Sequence, residues 1–217
     1  MKKNTQANLW LGILLSGVLA GLCIAIGGTV FLSVENKVIG ASLFSIGLFF
    51  VVSFKLWLFT GRVGYLFQRD RAYPFHLLLT LLGNFIGTFC VAALLRQTRA
   101  ADGLVERAAA LSTVKLGDSP VSIFVLAIFC GILMYVGVHG FGSFEFPLGK
   151  YLSVYLAVAV FILSGFEHCV ANMYYYSLAG VWANPQAWST MLVMVLGNTV
   201  GSIVVAEGIR LSHRLQE

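Results

Sequence analysis

Charge is scarce in this chain. Of 217 residues, 11% are charged and only nine are acidic, against about 25% charged in soluble domains. With 59% hydrophobic residues and a mean hydropathy of +0.87, there is too little polar surface to coat a globule in water. A soluble fold is thereby excluded and a membrane protein expected. Four cysteines, Cys23, Cys90, Cys130 and Cys169, each lie in an apolar run. None is spaced as a metal ligand, so they read as packed free thiols and no metal or cofactor is expected. The formal charge of +5 comes from 14 basic residues scattered along the chain, a pattern of basic membrane flanks and not of a nucleic-acid surface. The first apolar run, from about Leu9 to Val34, is too long for a signal peptide core and is expected to stay as a membrane helix.

Long apolar runs are what the chain does have. Six segments approach the ~20 residues needed to span a bilayer: 8–34, 39–68, 74–96, 120–142, 150–177 and 186–211. Helices are required, because lipid offers the backbone no hydrogen-bond partners. Linker 97–119 is polar and a candidate for its own surface helix. Placing both ends on the cytoplasmic side puts Lys2, Lys3, Arg69, Arg71, Lys150, Arg210 and Arg214 inside, and Lys37, Arg96, Arg99, Arg107 and Lys115 outside. The excess of basic residues inside leans towards that orientation.

Two spans are unusual. The second, "SFKLWLFTGRVGYLF", holds Lys55 and Arg62 and has Gly61 and Gly64 beside Thr60; the fifth, "ILSGFEHCVAN", has Ser164 and Gly165 just before Glu167 and His168. Glycine permits torsions that break a helix, and broken spans at matching places in two halves mark a transport site. The halves do match in motif order: "LLGNFIGT" in span three answers "VLGNTVGS" in span six. Three spans per half is odd, so the second half would enter from the opposite side, as an inverted repeat with halves at about 8–96 and 120–211 in one domain, 1–217. Helix packing through small residues explains single glycine motifs, but not their parallel order.

Ionisable groups inside a span are candidate functional groups. His168 reads as a proton donor at the middle of a pore or as a structural cap of freed backbone. Glu167, pointing elsewhere on the helix, is expected to brace the break by accepting loop N–H groups. Asn172, one turn on, can hold the imidazole or the loop. Thr60 can donate to a small anion or cap a half-helix, and half-helix N-termini add partial positive charge. Phe44, Leu48, Leu58, Phe59, Val138 and Phe161 supply large apolar walls.

These residues resemble those of the formate–nitrite transporter family. The likeness rests on "GFEHCVANMYY", on "LFTG" at Leu58–Gly61, on "GVLAGLCIAIGG" in span one, and on the two Gly-Asn-x-x-Gly motifs. It implies an all-α fold of six transmembrane helices in an aquaporin-like 3+3 inverted repeat with helices 2 and 5 broken. It also implies a homopentamer in an inner membrane and passage of formate, nitrite or hydrosulfide, with proton coupling in view. The resemblance makes His168 the central histidine, Thr60 the loop threonine and Lys115 the candidate vestibule lysine. It groups Phe44, Leu58 and Phe161 as one constriction and Leu48, Phe59 and Val138 as the other. The chain departs from the pattern at Trp57, where an acid is usual, and at Arg62, where Asn is usual. Lys115 also stands farther from Gly131 than in the pattern. Lys55 and Arg62 either tighten anion binding, change the anion preferred, or pair with Glu167. Two rivals are a neutral-solute channel, disfavoured by a lone Asn-Pro at "WANPQAW", and a haem anchor on His139 and His168, which lie at unequal depths. No enzyme activity is expected.

Overall fold

The computed structural model describes residues 2–217, with side chains from Gln6 onward. Lys2 and Lys3, counted for orientation, therefore lie outside the described side chains. The chain is all helical: α1 (Lys2–Ser33), α2 (Lys37–Ser53), α3 (Phe59–Arg62), α4 (Tyr73–Leu95), α5 (Ala101–Leu116), α6 (Pro120–Ser143), α7 (Pro147–Leu163), α8 (Cys169–Ala179) and α9 (Pro185–Arg214). A 3-10 stretch, Val63–Gln68, continues α3. Among the described residues, four helices are long and apolar enough to cross a membrane: Gln6–Ser33, Tyr73–Leu95, Pro120–Ser143 and Pro185–Arg214. Helices α2 and α7 are apolar but shorter, at 17 residues each.

Proline at the first turn starts α4, α6, α7 and α9, where its missing N–H costs nothing. Asn36, Ser119 and Asn184 cap α2, α6 and α9 with side-chain oxygens. The parallel pairs α1–α4 and α6–α9 approach backbone to backbone. A methyl group on Gly21 would strike the Asn84 carbonyl, and one on Gly87 the Val18 carbonyl. In the other pair Gly131 would meet the Asn198 carbonyl and Gly201 that of Ile128. The Gly-Asn-x-x-Gly motifs are thus sites of close helix contact. Outside, Leu11, Leu15, Leu78, Leu82, Leu192 and Leu196 are exposed, as an apolar environment permits.

Between α2 and α3, and between α7 and α8, the chain leaves the helix at 54–58 and 164–168. Both exits use the same left-handed ending. Leu56 N–H donates to the Val51 carbonyl (2.8 Å) and Lys55 N–H to that of Val52 (3.2 Å). Phe166 N–H donates to Phe161 (2.9 Å) and Gly165 N–H to Ile162 (3.2 Å). This crossed pair needs one residue at positive φ, here Lys55 (55°) and Gly165 (72°). Gly61 and Gly64, expected to break the helix, instead sit inside the turns that follow. They are small because Val138 packs 2.8 Å from where a Gly61 Cβ would stand, and Tyr135 lies against Gly64. Linker 97–119 does form a helix, α5. It is not simply a surface helix, because Leu104, Ala108 and Ser112 are buried.

Candidate functional site

Two asparagines set the shape of the site. Asn84 on α4 accepts from Phe59 N–H (2.9 Å) and donates to the carbonyls of Trp57 (2.9 Å) and Gly17 (2.8 Å). Asn198 on α9 accepts from Cys169 N–H (2.9 Å) and donates to the carbonyls of Glu167 and Ala127 (both 2.8 Å). Each buried amide thus satisfies backbone groups that the missing helix turn leaves free. Sequence reading gave these two asparagines no role; an amide amid an apolar helix was the available signal.

The clamped half-helices bring Thr60 and His168 together. Thr60 Oγ1 lies 2.9 Å from His168 Nε2, both groups buried. His168 caps α8: its Nδ1 accepts from Ala171 N–H at 3.0 Å. That acceptor role assigns the proton of the neutral ring to Nε2, which donates to Thr60 Oγ1. Thr60 Oγ1 has no other hydrogen-bond partner among the described residues, so its own proton is free to meet a ligand. The hydroxyl does not cap α3. The Phe161 ring stacks on His168 at 5.5 Å, and Phe44 meets Phe161 edge-on at 5.7 Å.

Glu167 departs from the expected brace. Its carboxylate accepts from Lys115 Nζ (2.6 and 2.7 Å) and from Asn172 Nδ2 (2.7 Å), not from loop N–H groups. Lys115 reaches in from α5, so the longer spacing to Gly131 does not remove it from the site. Asn172 holds this carboxylate and neither the imidazole nor the loop. Its Oδ1 is buried without a hydrogen-bond partner. The pairing of Glu167 with Lys55 or Arg62 is overturned, because Lys115 occupies it.

A cavity lies on either side of this centre. One, about 470 Å³, is lined by Lys55, Arg62, Arg69, Lys150, His139 and Tyr65, with Leu58, Gly61 and Val138 also on its wall. It is on the side where α1 starts and α9 ends: Trp10 packs on Phe75 at 5.1 Å and Gln68 bonds Glu207. The other, about 120 Å³, is lined by Lys37, Lys115, Phe161, His168, Asn172 and Tyr175. Leu58 therefore shares a cavity with Val138 and not with Phe161. Leu48 lies beside Gly137, next to Val138, and Phe59 is buried in α3. Both nitrogens of His168 are engaged, while His139 faces Tyr65 (3.2 Å) and Ser143 (3.3 Å), a poor arrangement for shared haem ligation.

Apolar helices, two exits held open by amides, and a buried hydroxyl–imidazole pair between cation-lined cavities define an integral membrane transport protein. The formate/nitrite transporter family model matches residues 1–211, and the chain belongs to that family. It is 29% identical over 198 residues to the formate channel FocA of Haemophilus influenzae, covering 80% of this chain and 69% of that one. It is 26% identical over 225 residues to the nitrite transporter NirC of Salmonella typhimurium, covering 94% and 82%. A solved pentameric formate channel with formate bound superposes with a TM-score of 0.82 at 25% identity, covering 96% of this chain and 98% of that one.

Proposed function

We propose that the protein is a channel for small monovalent anions of weak acids, formate, nitrite or hydrosulfide, passing between the two cavities at Thr60 and His168. The chain crosses the membrane six times as a 3+3 inverted repeat in one domain. Its second crossing is α2 with α3 and its fifth is α7 with α8. It works as a homopentamer in a bacterial-type inner membrane with both ends cytoplasmic. The solved pentameric relative supports the assembly, and the basic side chains near Arg69 and Lys150 support the orientation.

The observation that carries the reading is the Thr60–His168 bond, buried at 2.9 Å between two cation-lined cavities. Stripping water from an anion is costly, and cations in the mouths offset part of that cost, Lys115 doing so less because it is paired with Glu167. Lys37 and Lys115 serve the smaller mouth. Leu48, Leu58 and Val138 form the constriction towards the larger cavity; Phe44 and Phe161, in edge contact beside His168, form the other. At the centre, a chain of donors runs from Ala171 N–H through the ring to the Thr60 hydroxyl, which presents its proton to the anion. The N-terminus of α8 adds to this polarity. His168 acts as a neutral relay of hydrogen bonds. A second proton on Nδ1 would face the Ala171 N–H, so a proton that neutralises the anion comes from water in the mouth. Asn172 Oδ1, an unfilled acceptor, suits water or the protonated acid.

Reconstituted vesicles test this. Formate, nitrite and hydrosulfide should move faster than chloride, and water should not distinguish them from empty vesicles. Thr60→Val should lower formate flux on the order of tenfold, by removing a hydrogen bond to a charged ligand. Water or ammonia flux without anion flux would replace the reading with the neutral-solute channel.

A further inference from the structure

The larger cavity contains a group that the central relay does not use. Arg62 lines it half-buried, one residue past Gly61 and two past Thr60. Its guanidinium lies over the Trp57 ring at 4.7 Å, and Nη2 donates to the Lys55 carbonyl at the long distance of 3.5 Å. The backbone beneath is fixed too, because Tyr73 Oη donates to the Arg62 carbonyl at 3.0 Å. No carboxylate reaches it: the ion pairs among the described residues are Lys115–Glu167 and Arg210–Glu207, and no acid lines the cavity. A planar cation resting on an aromatic face keeps most of its five donors in one plane and loses little freedom on binding.

We propose that Arg62 is the anion-selecting residue of this mouth, binding planar anions that carry two oxygens on one atom, such as formate and nitrite, through two parallel N–H···O bonds. Anions with a single acceptor atom, such as chloride and hydrosulfide, meet it as a bare charge. The fork geometry gives the first class both energy and orientation, and delivers it towards Leu58 and Thr60. Lys55 and Lys150 are flexible point charges that raise the local anion concentration without choosing its shape; Arg69 also carries a fork, but it is exposed and stands farther from its aromatic partner, 5.9 Å from the Tyr65 ring centre, so it is held less firmly than Arg62. This deepens the transport reading by naming the class of substrate favoured at one mouth.

The test is equilibrium binding to the full chain in lipid nanodiscs, read by line broadening of ¹³C-formate and ³⁵Cl-chloride. Arg62→Lys keeps the charge and loses the fork. It should weaken formate about tenfold while chloride stays within about twofold. Arg62→Gln should weaken both, and Trp57→Leu, which removes the platform, should weaken formate more than chloride. Retained chloride binding shows that Arg62→Lys is folded. Equal formate binding by Arg62→Lys and the parent protein, or a parallel shift of formate and chloride, would overturn the proposal. Vesicle flux separates the two ideas. Selective formate binding without any anion flux removes the channel and leaves Arg62 standing; anion flux with binding indifferent to Arg62→Lys does the reverse.

Discussion

At residue 55 the chain turns left-handed on a lysine; at the matching residue 165 it does so on a glycine. The bonds around the two turns correspond nearly one for one. Trp57 and Glu167 each offer a carbonyl to an asparagine, and Phe59 and Cys169 each offer an N–H to the same amide. The N–H groups of Trp57 and Glu167 also find matching partners in the facing helix, Ser16 Oγ (3.0 Å) and the Leu126 carbonyl (3.3 Å). What differs is the side-chain chemistry. The first loop carries a tryptophan under an arginine; the second carries a glutamate bonded to a lysine from another helix, and a histidine that caps the next helix. The backbone solution is therefore independent of the chemistry mounted on it.

That independence can be broken experimentally. The largest expected effect is removal of either amide. Asn84→Ala and Asn198→Ala each strand two carbonyls and one N–H, at about 1–3 kcal/mol for each buried group. Both should lose several kcal/mol of stability in detergent–SDS titrations, and by similar amounts. A mild Asn84→Ala beside a severe Asn198→Ala would end the equivalence of the two loops. Next comes the ion pair, which has no counterpart in the first loop. Lys115→Met leaves Glu167 buried without its cation and should cost about 3 kcal/mol. Adding Glu167→Gln should recover part of that loss in the same titration, and a double variant no better than the single would show that Lys115 acts otherwise. The smallest effect concerns the turns themselves. Lys55→Gly should stabilise by about 1 kcal/mol, because a left-handed non-glycine residue is strained; Gly165→Lys should destabilise by a similar amount. The opposite signs, seen as shifts in thermal denaturation, are the point of that pair.

The sequence carried the helical membrane character openly, through hydropathy, and drew attention to Thr60, His168, Glu167 and Lys115 as polar groups in unfavourable surroundings. Their mutual geometry was not legible. Thr60 and His168 stand 108 positions apart, and Lys115 reaches Glu167 only because the linker folds as α5 and packs inward. The first helix ending was misplaced towards Gly61 and Gly64 because glycine marks flexible backbone, whereas the residue that actually turns left-handed, Lys55, carries no such mark. Leu58 was grouped with Phe161 because the family resemblance implied it. The half-helix places it on the wall it shares with Val138. A bare string of residues also cannot distinguish an imidazole that stores a proton from one whose Nδ1 is occupied by Ala171.

The clamps at Asn84 and Asn198 touch main-chain atoms alone. A mutation at 55, 57, 165 or 167 thus alters what a mouth attracts without dismantling the seam that keeps it open. Diversification of cargo on such a scaffold can proceed one entrance at a time, with the arginine and tryptophan of one side and the lysine and glutamate of the other exchanged as separate cassettes.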